Sequence, residues 1–497
     1  MELSSTIWLT CYFVVLLGLS GYGLHRYVMV YLFLKNSRNK PEPLSKFEEL
    51  PVVTVQLPIF NELHVVKRLI RAVGELDYPK EKLHIQVLDD STDETLEICR
   101  AEVEKLAAEG FDIELIHRVD RTGFKAGALE NGMEQAKGDF IYILDADFVP
   151  DADALLQMIH FFTDEKIGMI QTRWGHINRR YSLFTRIQAM FLDGHLLVEQ
   201  TARSRSGRFF NFNGTAGMWR KSCIMDAGGW EHDTLTEDLD LSYRAQLKGW
   251  KFIFLNDVVT PAELPVDMDG FKSQQHRWAK GSIQTCKKML GTVWRSDMPL
   301  IIKLEATAHL TSNFAYLLLI FLLVLIFPGM MPAMTWERAL LLDIPIFLMA
   351  SVSVGAFYTC SQMALYPKGK WLREVMLLPM LLALGIGMSI NNGRAVIEAI
   401  FNRESDFVRT PKYGIERKRQ DWRKSSYRAL KSFAPLVEVA LAFYFTFLVI
   451  YCLVSGMWMS VPFMMLFQVG FFYVSWDSLR GAFSFRDSEA EPVSVQG

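Results

Sequence analysis

The chain has 497 residues, 50% of them hydrophobic and 22% charged, with 53 basic against 55 acidic side chains. That apolar fraction excludes a disordered or fibrous chain, the length suggests two or three domains, and a net charge of −2 gives no overall electrostatic reason to bind nucleic acid. The six cysteines are scattered without a CxxC pair, which excludes a zinc cage and a disulfide framework.

Residues 3–24 carry no Lys, Arg, Asp or Glu, and Arg26, Lys35, Arg38 and Lys40 follow them. The run is too long for a signal-peptide core and has its charge on the wrong side, so it reads as an uncleaved membrane anchor with the following chain in the cytoplasm. Residues 47–290 then read as a soluble domain. Apolar, β-branched runs at 52–60, 85–89 and 140–144 predict strands, with helical patterns between them, notably at 93–109. Nearly continuous apolar strands alternating with helices predict a mostly parallel sheet covered on both faces, whose ligands bind beyond the carboxyl ends of the strands.

Hydrophobic stretches return at 310–327 and 344–366, and a run at 439–476 is broken near Ser455-Gly456 and Pro462 as a helical hairpin would be. Residues 376–390 are apolar but short. Lys368, Lys370 and Arg373 precede them, and 403–431, with ten basic against four acidic residues, follows. Two basic flanks predict a segment lying on the membrane or re-entering it. Five crossings then put the large domain, the basic loop and the tail on one side. The expected division is an anchor and linker (1–46), a catalytic domain (47–300), two crossings with the interfacial segment (301–400), a basic loop (401–432), a hairpin (433–478) and a tail (479–497).

The strand ends carry the chemistry. The first runs into Pro58-Ile59-Phe60-Asn61-Glu62, the second into Asp89-Asp90-Ser91, and the third into Asp145-Ala146-Asp147. A DxD can be a solvated turn, but one that caps a buried strand brings its carboxylates to a cleft floor. Two hard oxygen ligands there suit Mg²⁺ or Mn²⁺, which would also hold a substrate diphosphate. No GxGxxG follows the first strand and no GxxxxGK[ST] occurs, which disfavours a dinucleotide fold and a P-loop.

In chain order, Asp89-Asp90, Asp145-Ala-Asp147, Thr236-Glu237-Asp238 and Gln274-Gln275-His276-Arg277-Trp278 resemble the D, DxD, TED, QxxRW set. That set marks the membrane-embedded family-two glycosyltransferases, the group of cellulose, chitin and hyaluronan synthases. The text around residues 121–129 and 212–217, and the run QQHRWAKGS, is most similar to the cellulose-synthase-like A and C glucomannan and glucan synthases. The resemblance spans residues 52–412 and implies an α/β domain of GT-A type inserted between transmembrane helices. It also implies inverting, processive transfer of a hexose from UDP-glucose or GDP-mannose to a growing β-linked polysaccharide, exported through the chain's own helices.

By that resemblance Phe60, Glu62 and Asp89 or Asp90 line the nucleoside pocket, Lys125 meets the diphosphate, and Asp145 and Asp147 hold the metal. Asp238 is the general base; Thr-Glu-Asp is also an ordinary helix start, where acids are favoured by the dipole. Thr236, Glu237 and Gln274 complete their motifs. Arg277 supplies a planar cation to the diphosphate, and Trp278 a flat face for an acceptor sugar. Phe212, Asn213, Gly214 and Thr215 match the acceptor-side motif. Phe407, Thr410 and Lys412 match the gating loop FxVTxK, with Arg409 where the family has Val. The remaining basic residues, 417–431, read as a surface for anionic lipid headgroups.

Two other readings share these features. A glycolipid glucosyltransferase would add one sugar to a lipid acceptor. A transporter would leave half the chain unexplained, and Glu438 is the main charge within the membrane runs. The expected location is a bacterial-type inner membrane with the catalytic domain in the cytoplasm.

Overall fold

The three apolar runs at 52–60, 85–89 and 140–144 fold as the adjacent centre of one seven-stranded sheet. The computed structural model describes residues 2–330, 344–403, 409–416, 420 and 434–489. The strands are β1 (Val53–Ile59), β2 (Leu83–Asp89), β3 (Asp112–His117), β4 (Phe140–Ile143), β5 (Ile167–His176), β6 (Gly217–Arg220) and β7 (Lys251–Ala262), in the order β3-β2-β1-β4-β6-β5-β7. β6 runs antiparallel to both β4 and β5, and every other pairing is parallel. This mixed, mostly parallel sheet with helices on both faces is the expected GT-A architecture.

Alternation along the strands feeds two cores. Val53, Val55 and Leu57 of β1 with Tyr142 of β4 pack on one face. Ile141 and Ile143 of β4, Met169 of β5 and Trp219 of β6 pack on the other. Both faces are covered, and the polar residues that alternate along β1 and β2, Thr54, Gln56, His84 and Gln86, are buried and hydrogen-bonded across the strands, Thr54 to His84 and Gln56 to Gln86. The predicted helix at 93–109 is present as Thr95–Ala108, with Cys99, Val103 and Leu106 on its buried stripe.

One proline opens the site. The last partners of β1 and β4 are Gln56 and Ile143, so β4 has ended where Pro58 would have needed a ladder N–H. β1 continues to Ile59 against β2 alone. The crevice between the diverging ends of β1 and β4 receives the residues that follow both strands.

Among the described residues, three helices are long and apolar enough to cross a membrane, or up to five if each of two bent pairs is one span. The three are Thr6–Asn36, Ile344–Leu365 and Pro435–Val454; the pairs are Leu300–Thr311 with Phe314–Phe327, bent by 56°, and Trp371–Gly387 with Ser389–Ile400, bent by 41°. The run at 376–390 falls in the second pair. At the C-terminus, Ala434–Val454 and Val461–Glu489 pack along each other about a break at Ser455-Gly456. The catalytic domain is fastened to these helices by buried charge: Lys272 Nζ donates to Glu438 Oε2 at 2.7 Å and to Ser478 Oγ at 2.9 Å. Buried ions without partners would cost several kcal/mol, which is why Glu438 sits where Lys272 can reach it.

Candidate active site

At the ends of β1 and β2 each carboxylate has a basic side chain as partner. Arg118 holds Asp90 with two bonds, Nε to Oδ1 at 2.8 Å and Nη2 to Oδ2 at 2.6 Å. His117 Nδ1 lies 2.7 Å from Asp89 Oδ2. The Arg121 guanidinium stacks on Phe60, 3.3 Å from the ring centroid. Glu62 pairs with Arg409 at 2.8 Å; burial pushes its carboxyl up against the pull of that arginine. Arg121 thus joins Phe60 to Asp90, whose Oδ2 lies 3.9 Å from the Arg121 Nε, while Glu62 is tied to the loop that carries Arg409. Sequence reasoning had not singled out His117 and Arg118 as partners of Asp89 and Asp90.

The DxD caps β4. Lys125, near the start of the helix Phe124–Met133, donates to Asp145 Oδ1 at 2.5 Å and to the Gly214 carbonyl at 2.8 Å. Asp147 Oδ2 accepts from Lys412 Nζ at 2.7 Å and from the Glu263 N–H at 3.0 Å. The ammonium groups of Lys125 and Lys412 are both held above the usual lysine range by these carboxylates, despite their burial.

Asp238 lies in the first turn of the helix Glu237–Leu247, and Thr236 does not cap that helix through its side chain. The Thr236 hydroxyl lies instead 3.1 Å from Thr285 Oγ1, on the helix Met268–Arg295. Gln274, Arg277, Trp278, Gly281 and Thr285 fall at helical spacing on one face of it. A Cβ at Gly281 would come within 2.6 Å of Thr236 Cγ2 and 3.0 Å of the Leu235 carbonyl carbon, so only glycine allows this approach. Gln284 Oε1 accepts the Leu235 N–H at 2.9 Å. QxxRW and TED are therefore docked against each other, through residues that the motif names leave out. The signal was the Gly in RWAKG.

Among the described residues Asp238 makes no ion pair, and Oδ1 accepts only the Leu239 N–H, at 2.8 Å. Burial, then the neighbouring Glu237 carboxylate, push its carboxyl up to about 7. Burial, with Asp145, raises Glu237 as well, against the pull of Lys125 and Arg277. Arg277 is buried near enough to Glu237, Asp145 and Asp238 for their charges to act on it. Gln274 and Trp278 are half-buried beside it.

The turn at 212–215 is where expectation and structure part. Phe212 is fully buried, edge-on to Trp219 with ring centroids 5.6 Å apart, so its ring is core and cannot touch an acceptor. Asn213 Oδ1 accepts from Gln200 at 2.8 Å and from Asn211 at 3.0 Å. Thr215 Oγ1 accepts the Asp145 N–H at 2.8 Å. Gly214 has φ of +82°, and a Cβ there would come within 2.9 Å of Asp238 Oδ2. The polar groups of Gly214 and Thr215 are spent on Lys125 and Asp145, so this turn lies between Asp238 and the DxD carboxylates. Gln171 of β5, which sequence reasoning missed, holds the turn: its Nε2 donates to the carbonyls of Thr215 and Ala216, and its Oε1 accepts the Asn213 N–H. A buried glutamine inside an apolar strand was the available signal.

Of the loop residues, Phe407 lies outside the described residues, as does the basic run 417–431 apart from Gln420. Thr410 and Lys412 are buried over the site. The Tyr413 N–H donates to Glu263 Oε1 at 3.0 Å, and Arg68 donates to Glu416 Oε1 at 2.6 Å. Arg409, the departure from the family pattern, uses its charge on Glu62.

The residues present fit a divalent cation. Asp145 and Asp147 are hard oxygen donors, and Asp145 Oδ2 and Asp147 Oδ1 make no hydrogen bond among the described residues. The other acidic cluster, Glu231, Asp233 and Asp240, is already bridged by Lys288 at 2.5, 2.7 and 3.1 Å.

The family model described as glycosyltransferase like family 2 matches residues 51–281. The chain is 31% identical over 470 residues to glucomannan 4-beta-mannosyltransferase 7 of Arabidopsis thaliana, covering 90% of this chain and 82% of that relative. It is 33% identical over 439 residues to glucomannan 4-beta-mannosyltransferase 1 of Cyamopsis tetragonoloba, covering 84% and 79%. Among solved structures, the mannosyltransferase PcManGT from Pyrobaculum calidifontis, in complex with GDP-Man and Mn²⁺, has the same fold. Its TM-score is 0.55 at 19% identity, over 79% of this chain and 100% of that one.

Proposed function

We propose a specific reaction for this chain, which belongs to the family-two glycosyltransferases of the cellulose-synthase-like A type: inverting transfer of mannose from GDP-mannose to the 4-hydroxyl of a growing β-linked glycan. The observation that carries it is the convergence of Asp238, Lys125, Asp145 and Arg277 around Gly214. Mannose as the sugar is supported by the glucomannan 4-beta-mannosyltransferases at 31% and 33% identity. The GDP-Man bound by the fold neighbour agrees with it.

In this reading the acceptor hydroxyl attacks the anomeric carbon from the Asp238 side. Its proton passes to the Asp238 carboxylate as the bond to the diphosphate oxygen breaks. A carboxyl raised by burial is a stronger base than a solvated aspartate, which suits it to a weakly acidic hydroxyl. Lys125, Arg277 and Lys412 supply positive charge to the leaving diphosphate, and Asp145 and Asp147 would hold the divalent cation. Bound there, Mg²⁺ or Mn²⁺ would neutralise diphosphate charge. Trp278 offers its ring face to the acceptor. The apolar helices fit a bilayer, and the glycan leaves through them from a cytoplasmic catalytic domain.

The test is purified full-length protein in lipid nanodiscs with Mn²⁺ or Mg²⁺, given radiolabelled GDP-mannose or UDP-glucose separately. Polymer formed from GDP-mannose and degraded by endo-β-mannanase is the expected result. Polymer formed only from UDP-glucose overturns the sugar. A solvent-extractable lipid bearing a single sugar overturns the polymerase reading.

A further inference from the structure

The helix that runs from Leu183 to Arg205 is interrupted by a π turn, Gly194–Glu199, of the kind that recurs at functional sites. The turn lies against the N-terminal helix and the helix Ser353–Leu365, at the joint between the catalytic domain and the apolar helices. It carries a hydrogen-bonded pair: His195 Nδ1 is 2.9 Å from Glu199 Oε2. Behind the pair, Arg203 donates to Glu199 Oε2 at 3.3 Å and to Glu305 Oε1 at 2.9 Å, and His25 lies 3.0 Å from Glu305. These backing groups are sealed, with side-chain exposures of 2% for Arg203 and 4% for Glu305, whereas His195 keeps 34% and Glu199 22%.

The open edge of the pair adjoins the turn that carries the base. His195 Nε2 is 3.5 Å from Asn213 Oδ1, and Asn213 precedes the Gly214 that touches Asp238. Asn213 Nδ2 and Gln200 Oε1 are buried there with no hydrogen-bond partner. Buried groups left without partners favour a ligand that can hydrogen-bond to them. With Nδ1–H donating to Glu199, His195 presents Nε2 as an acceptor, 3.5 Å from the Gln200 amide nitrogen, Glu199 presents Oε1, and Asn213 presents an N–H. Two acceptors and a donor along this edge match vicinal hydroxyls, each of which donates and accepts.

We propose that His195, Glu199 and Asn213 form a binding site for the hydroxyls of an acceptor sugar already in the glycan, between Asp238 and the apolar helices. The site rests on the reading of a glycan acceptor given above. Arg203, Glu305 and His25 are positioning residues: they keep Glu199 ionised and fixed from behind. The carboxylate is accordingly held well below the usual range, chiefly by Arg203 and His195, despite its burial.

The test uses the full chain in nanodiscs, GDP-[¹⁴C]mannose as donor and β-1,4-mannotetraose as soluble acceptor, with Glu199→Gln and His195→Ala. Loss of a charged hydrogen bond to a hydroxyl predicts a mannotetraose KM raised about tenfold, with the GDP-mannose KM within about twofold. A larger share of donor should be lost to water, and the polymer should be shorter. A purely structural role would lower thermal stability and leave the ratio of the two KM values unchanged, and that outcome overturns the site. Because Glu199→Gln could loosen Arg203, His195→Ala decides: an unaltered mannotetraose KM in it rejects the proposal. Wild-type protein that ignores mannotetraose and glycosylates only lipid would reject the glycan reading first, and this site with it.

Discussion

The two halves of the cleft treat charge in opposite ways. On the donor side four acids meet a cation, Asp90 with Arg118, Asp145 with Lys125, Asp147 with Lys412 and Glu62 with Arg409, and Asp89 is hydrogen-bonded to His117. On the acceptor side Asp238 has no ion pair among the described residues, next to an acid of its own sign. In the proposed reaction the donor half receives a highly charged diphosphate, and carboxylates hold its cations in place beforehand. The acceptor half needs a base, and pairing Asp238 with a cation would make it a poor one. Uncharged amides and hydroxyls, those of Gln171, Gln200 and Ser242, do the holding there instead.

This contrast can be broken from either side. The largest effect is expected from Asp238→Asn, which removes the base: turnover should fall about 10²–10⁴-fold. GDP affinity, read by calorimetry, should stay within a few-fold; a parallel loss of GDP binding would place Asp238 on the donor side. Next, Arg118→Leu removes both arginine hydrogen bonds from the buried Asp90 and leaves it only Arg121 at 3.9 Å, so thermal unfolding should show the domain weakened by about 1–3 kcal/mol. An unchanged melting curve would mean the donor-side pairs are not what holds that half.

A smaller effect tests the seam between TED and QxxRW. Gly281→Ala places a methyl group against Thr236 and the Leu235 backbone, so transfer should drop about tenfold with a stability loss of about 1–3 kcal/mol. Gly291→Ala, where nothing lies within 4 Å, is the control that should behave as wild type. The gentlest test is pH. The base must be deprotonated to accept a proton, and its carboxyl is raised to about 7. Initial rate at saturating donor should therefore rise about tenfold per unit below that pH and level above it. A profile flat from pH 5 to 8 would show that Asp238 is paired during turnover.

Much of the donor half is legible along the chain because it is local: each motif follows a strand whose apolar run announces it. β3, β5, β6 and β7 are harder to read. β3 is a half-exposed edge, β6 has only four residues, and β5 and β7 carry polar groups that serve the site rather than the core. Phe212 and Thr215 are hidden for a related reason. Their residue types suit sugar binding, but Phe212 is packed against Trp219 and Thr215 accepts the backbone N–H of Asp145.

By itself the sequence determined the chemistry: the order of acids, the lysines and the QxxRW helix, since reactive side chains and strand periodicity are written locally. Tertiary structure alone decided which of those acids is left without a cation. Lys412 reaches Asp147 across 265 positions and Arg409 reaches Glu62 from the same loop, while no cation pairs with Asp238 among the described residues. Electrostatic pairing acts through space over a few ångströms, and chain order cannot reveal it until folding has closed those distances.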